Sequence, residues 1–168
     1  SAAPSATSCN INGLSNGTTY TFTAVANNAA GSSIPSASSS PVTPVGPPAS
    51  PTSVVVTAGD ESARVTFTPP SNTGGLSIDH FEVTVSPGGQ VITSASTAID
   101  VTGLTNGTAY TFVVRAVNAA GSSSGSTGVR GTPAGLPTPP TSISGLPINN
   151  GAQIAFSGAT TNGSAITS

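Results

Sequence analysis

Residues 13–36 read GLSNGTTYTFTAVANNAAGSSIPS, and residues 103–126 read GLTNGTAYTFVVRAVNAAGSSSGS. A segment that recurs nearly intact does the same structural job twice. Asn16 and Asn106 hold matching places, so the period is 106 − 16 = 90 residues. A second match joins SPTSVVVTAGDESARVTFTPPSNTGG, from Ser50, to PPTSISGLPINNGAQIAFSGATTNG, from Pro139. There Phe67 answers Phe156, a shift of 156 − 67 = 89. Solenoid repeats run to about 50 residues at most, so a period near 90 is one whole small domain.

The two matches interlock. The second half of the unit occupies residues 1–44 and recurs at about 94–133; the first half occupies 47–78 and recurs at about 136–166. The chain therefore divides into 1–44, the C-terminal half of a unit; 47–133, a complete unit; and 136–168, the N-terminal part of a third. VTPVGPPASP and GTPAGLPTPP punctuate them. Proline fixes φ and removes a donor, so these read as short, stiff linkers.

Within the complete unit, SVVVTA and ARVTFTPP are β-branched runs that end at Gly or Pro, and both predict strands. IDHFEVTVSPGG puts Phe81, Val83 and Val85 on one face, and its Pro-Gly-Gly stop signals a hairpin. QVITSAS and TAIDVTGL follow as short strands. AYTFVVRAVN sets Tyr110, Phe112, Val114 and Ala116 on one face, and STGVRGTP closes the unit. No segment sustains a helical period. Seven short strands separated by turn signals predict an all-β fold, an antiparallel sandwich.

This pattern resembles a fibronectin type III domain, in the Ser/Thr/Gly-rich form common in bacterial extracellular proteins. The residues that carry the resemblance are VTFTPPSNTGGLSIDHFEVTVSPGG, GLTNGTAYTFVVRAVNAAGSS and the closing GTP. The resemblance implies immunoglobulin-like β-sandwich repeats, one complete and two partial. It implies that Leu104 and Tyr110 form a corner before the sixth strand, with the Tyr110 hydroxyl bonded to backbone near residues 104–105, and that Tyr20 does the same in the first copy. The aromatic usual in the second strand, often Trp, stands here as Phe67 and Phe156. Cys9 aligns with Ile99 (9 + 90 = 99). In similar bacterial repeats that position can pair with a cysteine on the neighbouring strand, which here would fall near residue 2 or upstream. The other reading of Cys9 is a small buried residue.

Composition removes several function classes. Charged residues make up 5% of the chain, against about 25% in ordinary globular proteins. There is no lysine, and Arg64, Arg115 and Arg130 are scattered, so nothing gathers phosphates for nucleic-acid binding. No apolar run is long enough to span a membrane. Asp79, His80 and Glu82 sit on one strand, where only His80 and Glu82 share a face, and a solvated face is expected there. Five acids in the whole chain do not build a calcium site, which takes about six to eight oxygens. The one histidine, His80, has no G-x-S-x-G elbow to serve. No catalytic residue, cofactor or metal site is expected. Asn16, Asn106 and Asn162 begin glycosylation sequons, but tight Asn-Gly turns account for the first two.

The expected function is therefore structural: a segment of a tandem array in a large bacterial extracellular or cell-surface protein, serving as stalk, spacer or filament. Its partners would be neighbouring repeats, and identical chains if the array forms a filament. The alternative is an adhesin, or an accessory module that binds polysaccharide beside a carbohydrate-active catalytic domain. Residues 1–44 and 136–168 do not complete each other, because the stretch matching FEVTVSPGGQ is missing from both. That favours an excerpt of a longer array over exchange of halves between chains.

Overall fold

Side chains that alternate apolar and polar favour strands, since successive residues of a strand face opposite ways. In the computed structural model, which describes residues 7–167, the chain is built of such strands. They are β1 (Asn27–Asn28), β2 (Gly31–Ser32), β3 (Thr52–Gly59), β4 (Ser62–Thr68), β5 (His80–Ser86), β6 (Gln90–Ser94), β7 (Ala98–Thr102), β8 (Tyr110–Asn118), β9 (Gly121–Ser122), β10 (Val129–Gly131), β11 (Ser142–Ile148) and β12 (Gly151–Ser157).

β3 to β10 make an antiparallel sandwich. One sheet runs β3-β4-β7, and the other runs β10-β8-β5-β6 with β9 on the end of β8. Val65 and Val101 from the first sheet and Val83, Val114 and Phe112 from the second are fully buried in one shared cluster. Phe67 on β4 meets Phe81 on β5 edge to face, with ring centroids 4.8 Å apart, so one aromatic pair spans the two layers. The inward residues of β5 and β8 are those the alternation predicted. Gly88 and Gly89 close the β5–β6 hairpin at φ +103° and +64°, values that suit glycine.

The flanking segments differ from the centre in burial. β11 and β12 pair in register from Ser142↔Ser157 to Ile148↔Gly151, yet every residue of the hairpin is exposed. Phe156 was expected to repeat the core role of Phe67. It is instead 69% exposed, against 7% for Phe67. The reason is physical: none of the described strands pairs with this hairpin or covers its apolar face.

Residues 1–44 were expected to be the C-terminal half of a unit and to supply about three of its strands. Among the described residues there they form only the β1–β2 ladder and a Tyr20↔Val42 bridge. A serine ladder explains why. The N–H groups of Ser33, Ser36 and Ser39 donate to the carbonyls of Ala26, Ala24 and Phe22 at 2.8–2.9 Å. The amides of those same three residues donate to the serine Oγ atoms, each at 3.0 Å. Three residues on one side thus oppose two on the other, and the hydroxyl replaces every second carbonyl. The central sandwich repeats the device: Ser123 exchanges this pair of bonds with Ala116, and Ser126 with Val114. The next position in the series is Val129, which answers Ser39 (39 + 90 = 129) and has no hydroxyl. There the ladder reverts to ordinary pairing, Val129↔Phe112.

Candidate functional site

The corner residues lie where the resemblance implied. Leu104 is 5% exposed, and the Thr105 N–H donates to the Tyr110 hydroxyl at 3.1 Å. The Ser15 N–H donates to the Tyr20 hydroxyl at 3.0 Å. That backbone bond favours the phenolate and lowers the Tyr20 pKa from its ordinary value of 10.0. Both corners are scaffold, closing a connection between strands.

The ionisable side chains do not gather into a reactive group. Arg64 grips both oxygens of Asp100 at 2.9 and 3.0 Å across the β4–β7 pair, and both side chains are exposed. His80 Nε2 lies 3.6 Å from Glu82 Oε1 on the face the alternation assigned them. Arg115 donates to the Ser123 carbonyl at 2.8 Å. Among the described residues no three of His, Cys, Asp and Glu stand close enough to hold a metal ion. Cys9 is free and exposed, which corrects the reading of a small buried residue; residue 2, near which a disulfide partner was placed, lies outside the described residues.

Two asparagines are hubs of the polar contacts, each with three side-chain hydrogen bonds, and the sequence marked Asn106 only as a turn residue. Asn106, half-buried, accepts from the Glu61 N–H at 2.9 Å through Oδ1. Its Nδ2 donates to Asp60 Oδ1 at 2.7 Å and to Asn162 Oδ1 at 2.9 Å. Asn162 in turn donates to the Leu136 carbonyl at 3.0 Å. Both Nδ2 protons of Asn106 are thus committed, and a glycan there would displace one of them. Asn118 is the other: 3% exposed, it donates to the carbonyls of Gly46 and Thr73 and accepts from Ala120. The signal for it was in the sequence, because Asn28-Ala-Ala-Gly and Asn118-Ala-Ala-Gly are part of the repeat.

An open cleft of about 520 Å³ lies between the Asn16–Thr18 turn and the loop that carries Asn72, Thr73 and Leu76. Its walls are small and uncharged. It offers no aromatic platform for a sugar and no base for acyl transfer. No helix among the described residues is long and apolar enough to cross a membrane.

Comparison with known proteins follows the same lines. The family model described as "Fibronectin type III domain" matches residues 49–132. A Kelch domain-containing protein of Saccharolobus solfataricus is 33% identical over 121 residues, which is 70% of this chain and 17% of that protein. The chain thus spans about a sixth of that relative. Domains d3–d4 of the rat CD45 extracellular region superpose with a TM-score of 0.58 at 18% identity, covering 79% of this chain and 72% of theirs. Domains FN1–FN3 of chicken CNTN1 give 0.51 at 21%, covering 85% and 53%. At these identities the two structures speak for the fold alone, an antiparallel β-sandwich of immunoglobulin-like type. With a complete sandwich, the tyrosine corner and half the chain matched by the family model, the chain belongs to the fibronectin type III domain family.

Proposed function

We propose that this chain is a structural segment of a large extracellular or cell-surface protein, of bacterial type, in which tandem β-sandwiches form a stalk, spacer or filament. Residues 1–44 and 136–168 are then halves of domains like the central one, and the rest of each half belongs to the same polypeptide. The observation that carries this reading is recurrence. The Tyr20 corner repeats the Tyr110 corner, and the serine ladder repeats with it, at a 90-residue spacing. The exposed apolar face of β11–β12 has the composition of a sandwich face that is covered in a complete unit.

In this reading the work is mechanical, and the chain needs no catalytic group or cofactor. Side-chain hydroxyls and amides hold the strands, so cohesion depends little on ion pairs and therefore little on salt. A surface without lysine and with three arginines offers trypsin-like proteases few sites. The test is the denatured mass of the polypeptide in its native source. The reading expects a mass far above 16.0 kDa, with further copies of the 90-residue unit. A native polypeptide of about 16.0 kDa would exclude it.

A further inference from the structure

We infer that the Asn-Gly turn of each unit is a docking surface for the first long loop of the next unit, and that successive repeats are locked in one geometry. Proline-rich linkers are stiff, but adjacent domains joined by small contacts ordinarily move. Here the linker has no slack. Pro44 is held from behind, its carbonyl accepting from the Gly17 N–H at 2.9 Å. Two residues on, the Gly46 N–H donates forward to the Gly74 carbonyl at 2.9 Å, and the Ala49 N–H donates to the Asn72 carbonyl at 2.9 Å. Only Val45 lies between the two attachments.

The second junction repeats the first. The Gly107 N–H donates to the Pro133 carbonyl at 2.8 Å, Gly135 to Asn162 at 2.9 Å, and Thr138 to Thr160 at 3.2 Å. The donors are displaced by 90, 89 and 89 residues from their counterparts (17 to 107, 46 to 135, 49 to 138). Ala134, the residue between the attachments, is itself tied to the Gly59 carbonyl at 3.1 Å.

The units also touch directly, backbone to backbone. A Cβ on Gly17 would lie 3.2 Å from the Gly75 Cα, and one on Gly107 would lie 3.3 Å from the Gly163 Cα. From the other side, a Cβ on Gly75 would lie 2.8 Å from Gly17, and one on Gly163 would lie 2.5 Å from the Gly107 nitrogen. Neither contact has a flexible side chain that can yield. At the second junction the Asn106–Asn162 amide bond crosses between units as well. The partner of this surface is the next repeat. The inference rests on the tandem reading only where it extends the geometry along an array, since both junctions lie within this chain.

The test is a pulsed electron–electron distance measurement on the 168-residue chain. Cys9→Ser removes the native thiol, and spin labels are attached through Thr93→Cys and Ser144→Cys, both at exposed positions. The inference expects a single narrow distance distribution, and its loss in Gly163→Ala. Gly103→Ala is the control: its φ of +75° gives the same left-handed strain, but its Cβ meets nothing within 4 Å, so the narrow peak stays. A broad distribution in the parent, or a narrow one that survives Gly163→Ala, overturns the lock. If Gly163→Ala disrupts its own segment, amide exchange in the parent decides. The Gly107 and Gly135 protons are protected if the junction is locked and exchange freely if it swings. The polypeptide mass does not depend on either result, so the two readings fail separately.

Discussion

The buried Asn118 side chain donates to the Gly46 carbonyl at 3.0 Å, fastening the end of the longest strand to the linker ahead of the sandwich, 72 residues earlier in the chain. The same amide reaches Thr73 at 2.8 Å, so one side chain joins strand, loop and linker.

Asn118→Ala removes three hydrogen bonds and leaves the buried Gly46 carbonyl and the half-buried Thr73 carbonyl without this donor. A loss of about 2–3 kcal/mol is expected in urea unfolding. Asn118→Asp does not rescue it, because a carboxylate has no proton for either carbonyl.

Ser123→Ala tests the serine ladder. Ser123 is 2% exposed, and its hydroxyl is the acceptor for the fully buried Ala116 N–H at 3.0 Å. Its loss leaves that amide unsatisfied and costs about 1–3 kcal/mol. Ser33→Ala removes the matching bond on the exposed first segment, where water replaces the hydroxyl, and leaves the unfolding midpoint unchanged.

Phe112→Ala and Phe156→Ala separate complete from incomplete packing. Phe112 is fully buried between the sheets, so its truncation costs about 3–5 kcal/mol. Phe156 is largely exposed, and its truncation stays within about 0.5 kcal/mol. Chemical denaturation of both variants checks the contrast.

Tyr110→Phe leaves the Thr105 N–H without its acceptor and costs about 1 kcal/mol by thermal unfolding. In that variant Tyr20 is the only tyrosine, so absorbance at alkaline pH reads it alone. Its midpoint lies below 10.0 and moves up toward that value in urea. The sign follows from the depressed pKa: the Ser15–Tyr20 contact gains as pH rises through the folded midpoint, and the gain is complete above the unfolded one.

Arg64→Ala breaks an exposed pair in which one nitrogen, Nη1, meets both Asp100 oxygens, and an exposed pair contributes less than about 1 kcal/mol. The melting temperature accordingly shifts little between low and high sodium chloride.

The sandwich was legible in the sequence because its signals are local. Alternation along β5 and β8 named the inward side chains, and the family resemblance, carried to the second copy by the repeat, implied both tyrosine corners. What escaped is what depends on pairs distant in sequence. Ser33, Ser36 and Ser39 look like a flexible polar run until Ala26, Ala24 and Phe22 are seen opposite them. Asn106 was read as a turn residue, which it is, but its bonds to Asp60 and Asn162 bridge 46 and 56 residues. Phe156 misled in the other direction, since alignment transfers a residue's place in a strand but not the sheet that covers it.

One complete sandwich, β3 to β10, stands between segments whose described residues close no core of their own. Pulling the 168-residue chain by its ends tests it. A single cooperative unfolding event is expected, in which the 80 residues of Thr52–Gly131 (131 − 52 + 1 = 80) extend by roughly 25 nm at ~3.5 Å per residue less the folded span. The flanking segments extend without a resolved step. Two or more comparable events, or none, would contradict it.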